Sequence, residues 1–442
     1  MSLMDCRDVP VSTGNLASLA RYETALTLLN GYFLDPLEEV EAALADDPDF
    51  VMGHCLRGGM MAVAAETAAE PFLRESVEAA EVLAAGANDR ERGHIAALRA
   101  WLDRDFAGAT DRWGTILTDH PRDLLALQLA HLGDFYLGRS DMLRDRIAAV
   151  LPAWGSDVPG YGYVLGMHAF GLEEMNAFAQ AEDTGREAVT HEPRDPWAIH
   201  AVAHVLEMQG RLDDGICWYN DRRTDWAEEN MFSFHNWWHL SLYHLDRGET
   251  DRVLEIYDTG VRPQSSDVVL EMLDASALLW RLHLDGVDVG DRWVGLADTW
   301  EGTVEDGYYA FNDAHAMMAF VGAGRDASAD ALLATMTRAA GEAGTNAMMT
   351  RDVGLPFAQA IRAFGRQEYG QAADLLAPVA PIANRFGGSN AQRDVLQRTL
   401  VESAIRGGRG ALARDLMAVR VDAKPEGLFN RLRLKRAEAL SD

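Results

Sequence analysis

Two helical segments joined by a short turn decide the fold: AQAEDTGREAVTH (Ala179–His191) and AIHAVAHVLEMQ (Ala198–Gln209). In both segments apolar residues recur at the three- and four-residue spacing of an amphipathic helix. We take Pro193, between them, as the proline that closes a helical hairpin. Strand patterns are scarce along the rest of the chain. The sequence therefore predicts an all-α protein in which short turns join helices into antiparallel hairpins.

The same spacing of small and apolar residues before a proline recurs in three places. Its members are Ala181, Ala188 and Pro193, then Ala109, Ile116 and Pro121, then Pro36, Ala43 and Pro48. Glycines suited to a left-handed turn follow helical runs at Gly138, Gly210 and Gly248. Aromatic residues stand where a second helix would pack back, at Trp113, Tyr219 and Tyr257. A period near 34 residues with these features is typical of the tetratricopeptide repeat.

The repeat predicts a tetratricopeptide-like α-solenoid, that is, stacked antiparallel hairpins in a right-handed superhelix with a concave groove. We expect one continuous helical-repeat domain over 1–442. Its clearest repeats fall at about 90–262, its irregular hairpins at about 50–90 and 262–345, and its C-terminal repeats at 351–442. A non-repeating helical bundle is the alternative.

The charge of the chain limits its partners. There are 40 basic and 69 acidic residues, and 40 − 69 = −29. So acidic a protein is expected to bind neither nucleic acid nor anionic membrane surfaces. The three cysteines form no CxxC pair, and residues 1–15 lack the apolar core of a signal peptide. We therefore expect a cytoplasmic protein, and the sequence does not decide its oligomeric state.

Five segments resemble the tetratricopeptide repeat protein 38 family. They are WAIHAVAHVLEMQGR (Trp197–Arg211), HNWWHLSLYHLDRG (His235–Gly248), FNDAH (Phe311–His315), RDVGLP (Arg351–Pro356) and GGSNAQRD (Gly387–Asp394). The segments follow in order over roughly half of the chain. The resemblance implies an all-helical repeat fold and implies no settled activity.

The densest group of ligand-type side chains lies on two successive first helices. It consists of His200, His204, Glu207, His235, Asn236 and His239. Histidines four residues apart share one helical face, so each pair could hold a metal ion. In the repeat register both pairs face the groove. The alternative is an ordered polar network without metal, packed among Trp197, Trp237 and Trp238.

A second polar group, Asn312, Asp313 and His315, interrupts the apolar run over 308–321. Polar side chains buried there need partners, and Asp313 could orient an imidazole or ligate a metal. Alternatively, Asn312 or Asp313 caps the start of a helix.

The last two of the five segments have local explanations. Ser389 and Gln392 form a capping box that opens a helix, although the free N–H groups at that N-terminus, together with Arg393, could also bind an anion. Gly354 is expected to turn the chain, and Pro356 to start a helix, which leaves Asp352 without a role.

The candidate groove therefore consists of the two polar groups together with Trp238, Asp352, Asn390 and Arg393. Its metal candidates are His200, His204, His239 and Asp313, with zinc as the divalent ion. There is no HExxH, GxSxG or phosphate-binding glycine motif. We predict a binding scaffold whose groove, rich in histidine and tryptophan, takes a peptide, a protein segment or a small ligand, neutral or cationic. The alternative is a hydrolase-like, metal-dependent enzyme at the same site.

Overall fold

The computed structural model describes residues 3–425 and 427–440. Within those ranges the chain is helical almost throughout. A short antiparallel ribbon near the N-terminus pairs β1 (Leu3–Met4) with β2 (Pro10–Val11), and Phe33 forms an isolated bridge with Asn230. The predicted all-α class is confirmed.

The first helices, in chain order, are α1 (Leu16–Gly31), α2 (Pro36–Asp46), α3 (Val51–Val63), α4 (Glu70–Leu83), α5 (Asp89–Leu102), α6 (Phe106–Asp119), α7 (Leu124–Tyr136), α8 (Ser140–Val150), α9 (Tyr161–Glu174), α10 (Phe178–His191), α11 (Pro196–Met208), α12 (Leu212–Asp221) and α13 (Arg223–Trp226). They are followed by α14 (Ser233–Arg247), α15 (Thr250–Ile256), α16 (Val269–Leu284), α17 (Arg292–Trp300), α18 (Ala310–Gly322), α19 (Asp326–Ala340), α20 (Thr345–Met349), α21 (Leu355–Gly365), α22 (Tyr369–Leu376), α23 (Asn390–Arg406), α24 (Gly410–Ala423) and α25 (Leu428–Glu438). Two π-helical turns, Tyr257–Val261 and Thr350–Gly354, extend α15 and precede α21.

Successive helices pack as antiparallel hairpins, such as α1 with α2, α5 with α6, α9 with α10 and α21 with α22. The small residues at the predicted contact positions, Ala43, Ala109 and Ala181, are fully buried on the second helix of their hairpins. Gly138 and Gly210 adopt φ values of 63° and 70° in the turns. The hairpin spacing read from the sequence is therefore confirmed, and each helix hides its apolar stripe against its neighbours.

The chain divides into two compact units. The first comprises residues 1–202, 224–232 and 343–345, and the second comprises 203–223, 233–342 and 346–442. Trp101 and Trp113 are fully buried in the first unit, and Trp238, Trp280 and Trp300 in the second. The expected single continuous domain and the handedness of its superhelix stay predictions.

Replacing Gly171 by alanine is expected to destabilise the first unit by about 1–3 kcal/mol, because α9 approaches the backbone of α8 closely there. A methyl group at Gly171 would overlap the Leu143 carbonyl and lie 2.5 Å from the Arg144 nitrogen. Gly295→Ala is the matched control: it is also helical, and nothing lies within 4 Å of its added methyl group. Thermal unfolding measures both variants. Equal unfolding midpoints for the two variants would show that α8 can move away from the added methyl group without a loss of stability.

Candidate metal centre

The centre is assembled in the second unit by α14 and by the C-terminal part of α11. Helix α14 carries His235 and His239 one turn apart, and α11 contributes His204 and Glu207. The Tyr243 hydroxyl donates a 2.6 Å hydrogen bond to the Ala203 carbonyl, which ties the two helices together. The imidazoles of His204, His235 and His239 are at most 4% exposed. These histidines are therefore buried and do not line an open groove.

Two carboxylates orient the α14 histidines. His239 Nδ1 lies 3.0 Å from Glu207 Oε2, and His235 Nδ1 lies 2.7 Å from Asp274 Oδ2 on α16. A carboxylate accepts, so each Nδ1 carries the donated proton and each Nε2 presents a lone pair. The two Nε2 atoms face each other at 3.2 Å. Two lone pairs at this distance need a cation between them or one shared proton.

The geometry fits a transition-metal ion. His204 joins the pair, since one ring nitrogen from each of His204, His235 and His239 lies within 4.8 Å of the others. Tetrahedral zinc with bonds of about 2.0–2.1 Å places two ligand nitrogens about 3.3 Å apart. Histidines that bind metal usually donate their second N–H to a carboxylate, as His235 and His239 do here.

Burial and charge act against each other at the two orienting carboxylates. Burial raises the pKa of Glu207, and the Lys424 ammonium is the largest opposing influence. Burial also raises the pKa of Asp274, against the effects of His235 and Arg281. A cation bound by the histidines would offset the cost of keeping both carboxylates ionised.

A buried ion-pair network lies next to Glu207. Asp246 contacts Lys424 at 2.6 Å and Arg398 at 3.0 Å. Burial disfavours the ionised form of Asp246, but the two cations outweigh it and lower its pKa to about 2. Arg398 also pairs with Asp394 of the GGSNAQRD segment at 2.6 Å. The C-terminal helices thus supply charged groups that the sequence analysis did not place near the histidines.

His200 lies one turn before His204 on α11. It belongs to the first unit, where its ring stacks on Phe170 at 5.4 Å and contacts Trp197 at 5.2 Å and Phe232 at 5.3 Å. The aromatic packing expected around the rings is therefore present at His200. Its role as a metal ligand stays a prediction.

Asn312 and Asp313 do not cap their helix, so that alternative is wrong. Helix α18 begins at Ala310, and the side chain of Asn346 accepts the hydrogen bond from the Ala310 N–H at 2.8 Å. Asp313 is buried, which raises its pKa to about 8. Within the residues that the structure describes, Asp313 belongs to no group of side chains placed to bind a metal ion together. His315 Nδ1 donates to the Phe311 carbonyl at 2.8 Å.

The capping box predicted at Ser389 and Gln392 is confirmed at the start of α23. The guanidinium of Arg393 donates to the Gly388 carbonyl and, at 2.9 Å, to the Asn390 side chain. Through these hydrogen bonds Arg393 and Asn390 stabilise the local turn. Asn236 likewise has a structural partner, because its side-chain oxygen accepts a 3.0 Å hydrogen bond from Tyr219.

The Arg351–Pro356 segment folds differently from the expectation. Gly354 is helical rather than a turn residue, and a methyl group there would lie 2.8 Å from the Ala310 side chain. Close packing therefore explains this glycine. Pro356 does stand in the first turn of α21 as predicted, and Asp352 forms ion pairs with Arg351 at 3.3 Å and Arg385 at 3.4 Å.

Asp274, Arg281 and Lys424 lie near the histidines but were not predicted from the sequence. A signal for the first two exists, because they are charged residues seven apart in the largely apolar run VLEMLDASALLWRLHL of α16. That spacing places them on one helical face. Lys424 is one of only two lysines in the chain, a scarcity that carried no structural meaning by itself.

No family model matches the chain, and the resemblance to the tetratricopeptide repeat protein 38 family stays a prediction. Among the solved structures that are similar to this chain, three are of tetratricopeptide-type helical repeat proteins. A chain of the APC/C hetero-tetramer Cut9–Hcn1 has 12% identity and a TM-score of 0.47, over 94% of this chain and 69% of that one. The human IFIT1 dimer with PPP-AAAA has 13% identity and a TM-score of 0.42, over 95% and 94%.

Yeast Tom70 has 11% identity and a TM-score of 0.34, over 80% of this chain and 89% of that one. These likenesses concern the course of the chain and imply nothing about a ligand or partner. Among the described residues, no helix combines the length and the apolar character needed to cross a membrane.

Proposed function

We propose that this helical-repeat protein is a ligand-binding protein built around a divalent metal, with zinc as the best fit. His204, His235 and His239 hold the ion, and Glu207 and Asp274 orient two of these ligands. Because the histidines are buried, the ligand is a small molecule or the end of a peptide rather than an extended segment lying across an open groove.

The observation that carries this proposal is the Nε2–Nε2 distance of 3.2 Å between two histidines whose Nδ1 atoms both face carboxylates. The competing arrangement is the ordered network without metal. There one imidazole carries two protons, and its Nε2–H donates to the other Nε2. Three nitrogens brought together with two orienting carboxylates favour the metal.

Three protein ligands leave one coordination position of a tetrahedral ion for a water molecule or a bound ligand. That position suits ligand binding. No contact among the described residues specifically favours hydrolysis, so the enzyme alternative is not proposed.

Metal-stripped, untagged protein is expected to take up one zinc or cobalt ion per chain, and bound Co²⁺ should show the visible absorption of a tetrahedral site. Asp274→Asn should weaken zinc binding about 10- to 100-fold, because it removes the carboxylate that orients His235. Asp267→Asn, an exposed carboxylate that precedes the same helix, is the control and should bind zinc like the wild type. Failure of the wild type to bind a stoichiometric ion would contradict the proposal.

A further inference from the structure

Arg281 is a buried guanidinium without a carboxylate partner. It is 1% exposed and lies in the middle of α16. It donates to the carbonyls of Ala277 at 3.0 Å and Ala391 at 2.7 Å, and it lies 5.1 Å from the centre of the Trp238 ring. All three partners are neutral. Within residues 3–425 and 427–440, no carboxylate lies within ion-pair distance of this side chain.

An isolated buried charge is costly, and proteins normally pair it. The neighbouring Arg398, which is 7% exposed, follows the rule with two carboxylates, Asp246 and Asp394. Burial and the nearby charge of Arg398 lower the pKa of Arg281 to about 10, against the opposing effects of Asp394, Glu207 and Asp246, so Arg281 stays charged at neutral pH. The second unit therefore buries one positive charge that no carboxylate contacts directly.

This charge lies beside the candidate metal centre. Arg281 follows Asp274 by seven residues on the same helical face, and its charge acts on both Asp274 and Glu207. The ring of Trp238, which it faces, has its centre 4.7 Å from that of His239. Neutral histidines do not cancel the charge of a divalent ion, so metal binding would increase the local positive charge.

We propose that Arg281 binds the carboxylate of a small anionic ligand next to the metal centre. A planar guanidinium matches the two oxygens of a carboxylate. Because only one cation lacks a partner, a single negative charge suits the site better than a phosphate dianion. The other nearby cations, Arg398, Arg420 and Lys424, are already paired. This anionic ligand replaces the neutral or cationic one expected from the histidines and tryptophans alone.

The inference rests on the proposed function for the location of the ligand, but its test does not need the metal. Acetate and inorganic phosphate are the probes, added to metal-free and to zinc-loaded protein at constant ionic strength. Calorimetric titration measures binding, and the unfolding midpoint without probe measures stability. We expect acetate to bind and Arg281→Met to weaken it roughly 10- to 100-fold, because charge-assisted hydrogen bonds are lost.

The midpoint separates a ligand-binding role from a structural one. If Arg281 serves a ligand, Arg281→Met removes an unpaired charge, and the free protein should be as stable as the wild type or more stable. Arg281→Lys keeps the charge without the planar geometry and should bind acetate at least tenfold more weakly. It provides the test if the methionine variant does not fold.

Several results would overturn the inference. They are no acetate binding by the wild type, equal binding by the Arg281 variants, Arg281-dependent binding of phosphate in preference to acetate, or a marked loss of stability in Arg281→Met. Absorption of bound Co²⁺ reports the metal separately. Acetate binding that depends on Arg281 in a protein that takes up no metal would support this site and refute the metal centre.

Discussion

Replacing His239 by alanine is expected to weaken zinc binding at least 100-fold, which is the largest effect on ligand binding that the structure implies. The change removes one of three nitrogen ligands and leaves Glu207 buried without its 3.0 Å partner. Loss of an orienting carboxylate alone already costs about 10- to 100-fold, and a direct ligand matters more. Competition with a chromophoric chelator measures zinc affinity, and the Co²⁺ spectrum measures geometry.

His244→Ala is the matched control because His244 lies on the same helix α14 and also contacts a carboxylate. Its Nδ1 is 2.5 Å from Glu249 in a partly exposed pair outside the centre. This variant should bind zinc with wild-type affinity. Equal zinc affinities for the His239 and His244 variants would show that zinc binds elsewhere, and the proton-sharing network would then explain the 3.2 Å contact.

The helical hairpins could be predicted because they depend on local patterns. Small residues at fixed distances before Pro193 and glycines such as Gly138 and Gly210 are visible in any window of the sequence. Histidine pairs four residues apart also predict a shared face. The pairing of His235 and His239 on α14 follows from that spacing alone.

The partners of these histidines could not be predicted in the same way. Asp274 is 39 residues from His235, and which helix packs against α14 is decided by the whole core rather than by either segment. The register also placed the histidines on a groove, whereas packing buries them. Asp313 has the right chemistry for a ligand, but no periodicity connects α18 with α14.

A second large effect is expected in the first unit, where Asp123 joins the buried side chains of Arg90 and His94. Its carboxylate lies 2.6 Å from Arg90 Nε and 2.9 Å from His94 Nε2, and all three side chains are at most 1% exposed. Asp123→Asn keeps the shape, and it keeps the oxygen that accepts from the Ala126 N–H at the start of α7. It leaves Arg90 as an uncompensated buried charge, which typically costs about 3–5 kcal/mol.

Chemical denaturation at neutral pH measures that loss, with Asp111→Asn as the control. Asp111 pairs with Arg139 at 2.7 Å, but its side chain is 60% exposed, so its removal should cost at most about 1 kcal/mol. A similarly small loss of stability for Asp123→Asn would show that another group inside the unit compensates the charge of Arg90.

The pH dependence of stability tests independently whether the Asp123 ion pair stabilises or destabilises the fold. Burial opposes ionisation of Asp123, but Arg90 and His94 outweigh it and hold its pKa well below the usual range. Since the folded-state pKa is below the unfolded value of about 3.9, the ionised carboxylate stabilises the fold at every pH above that value. The stability difference between wild type and Asp123→Asn should therefore shrink as the pH falls below about 4. A difference that grew with acid would mean that the pair opposes folding.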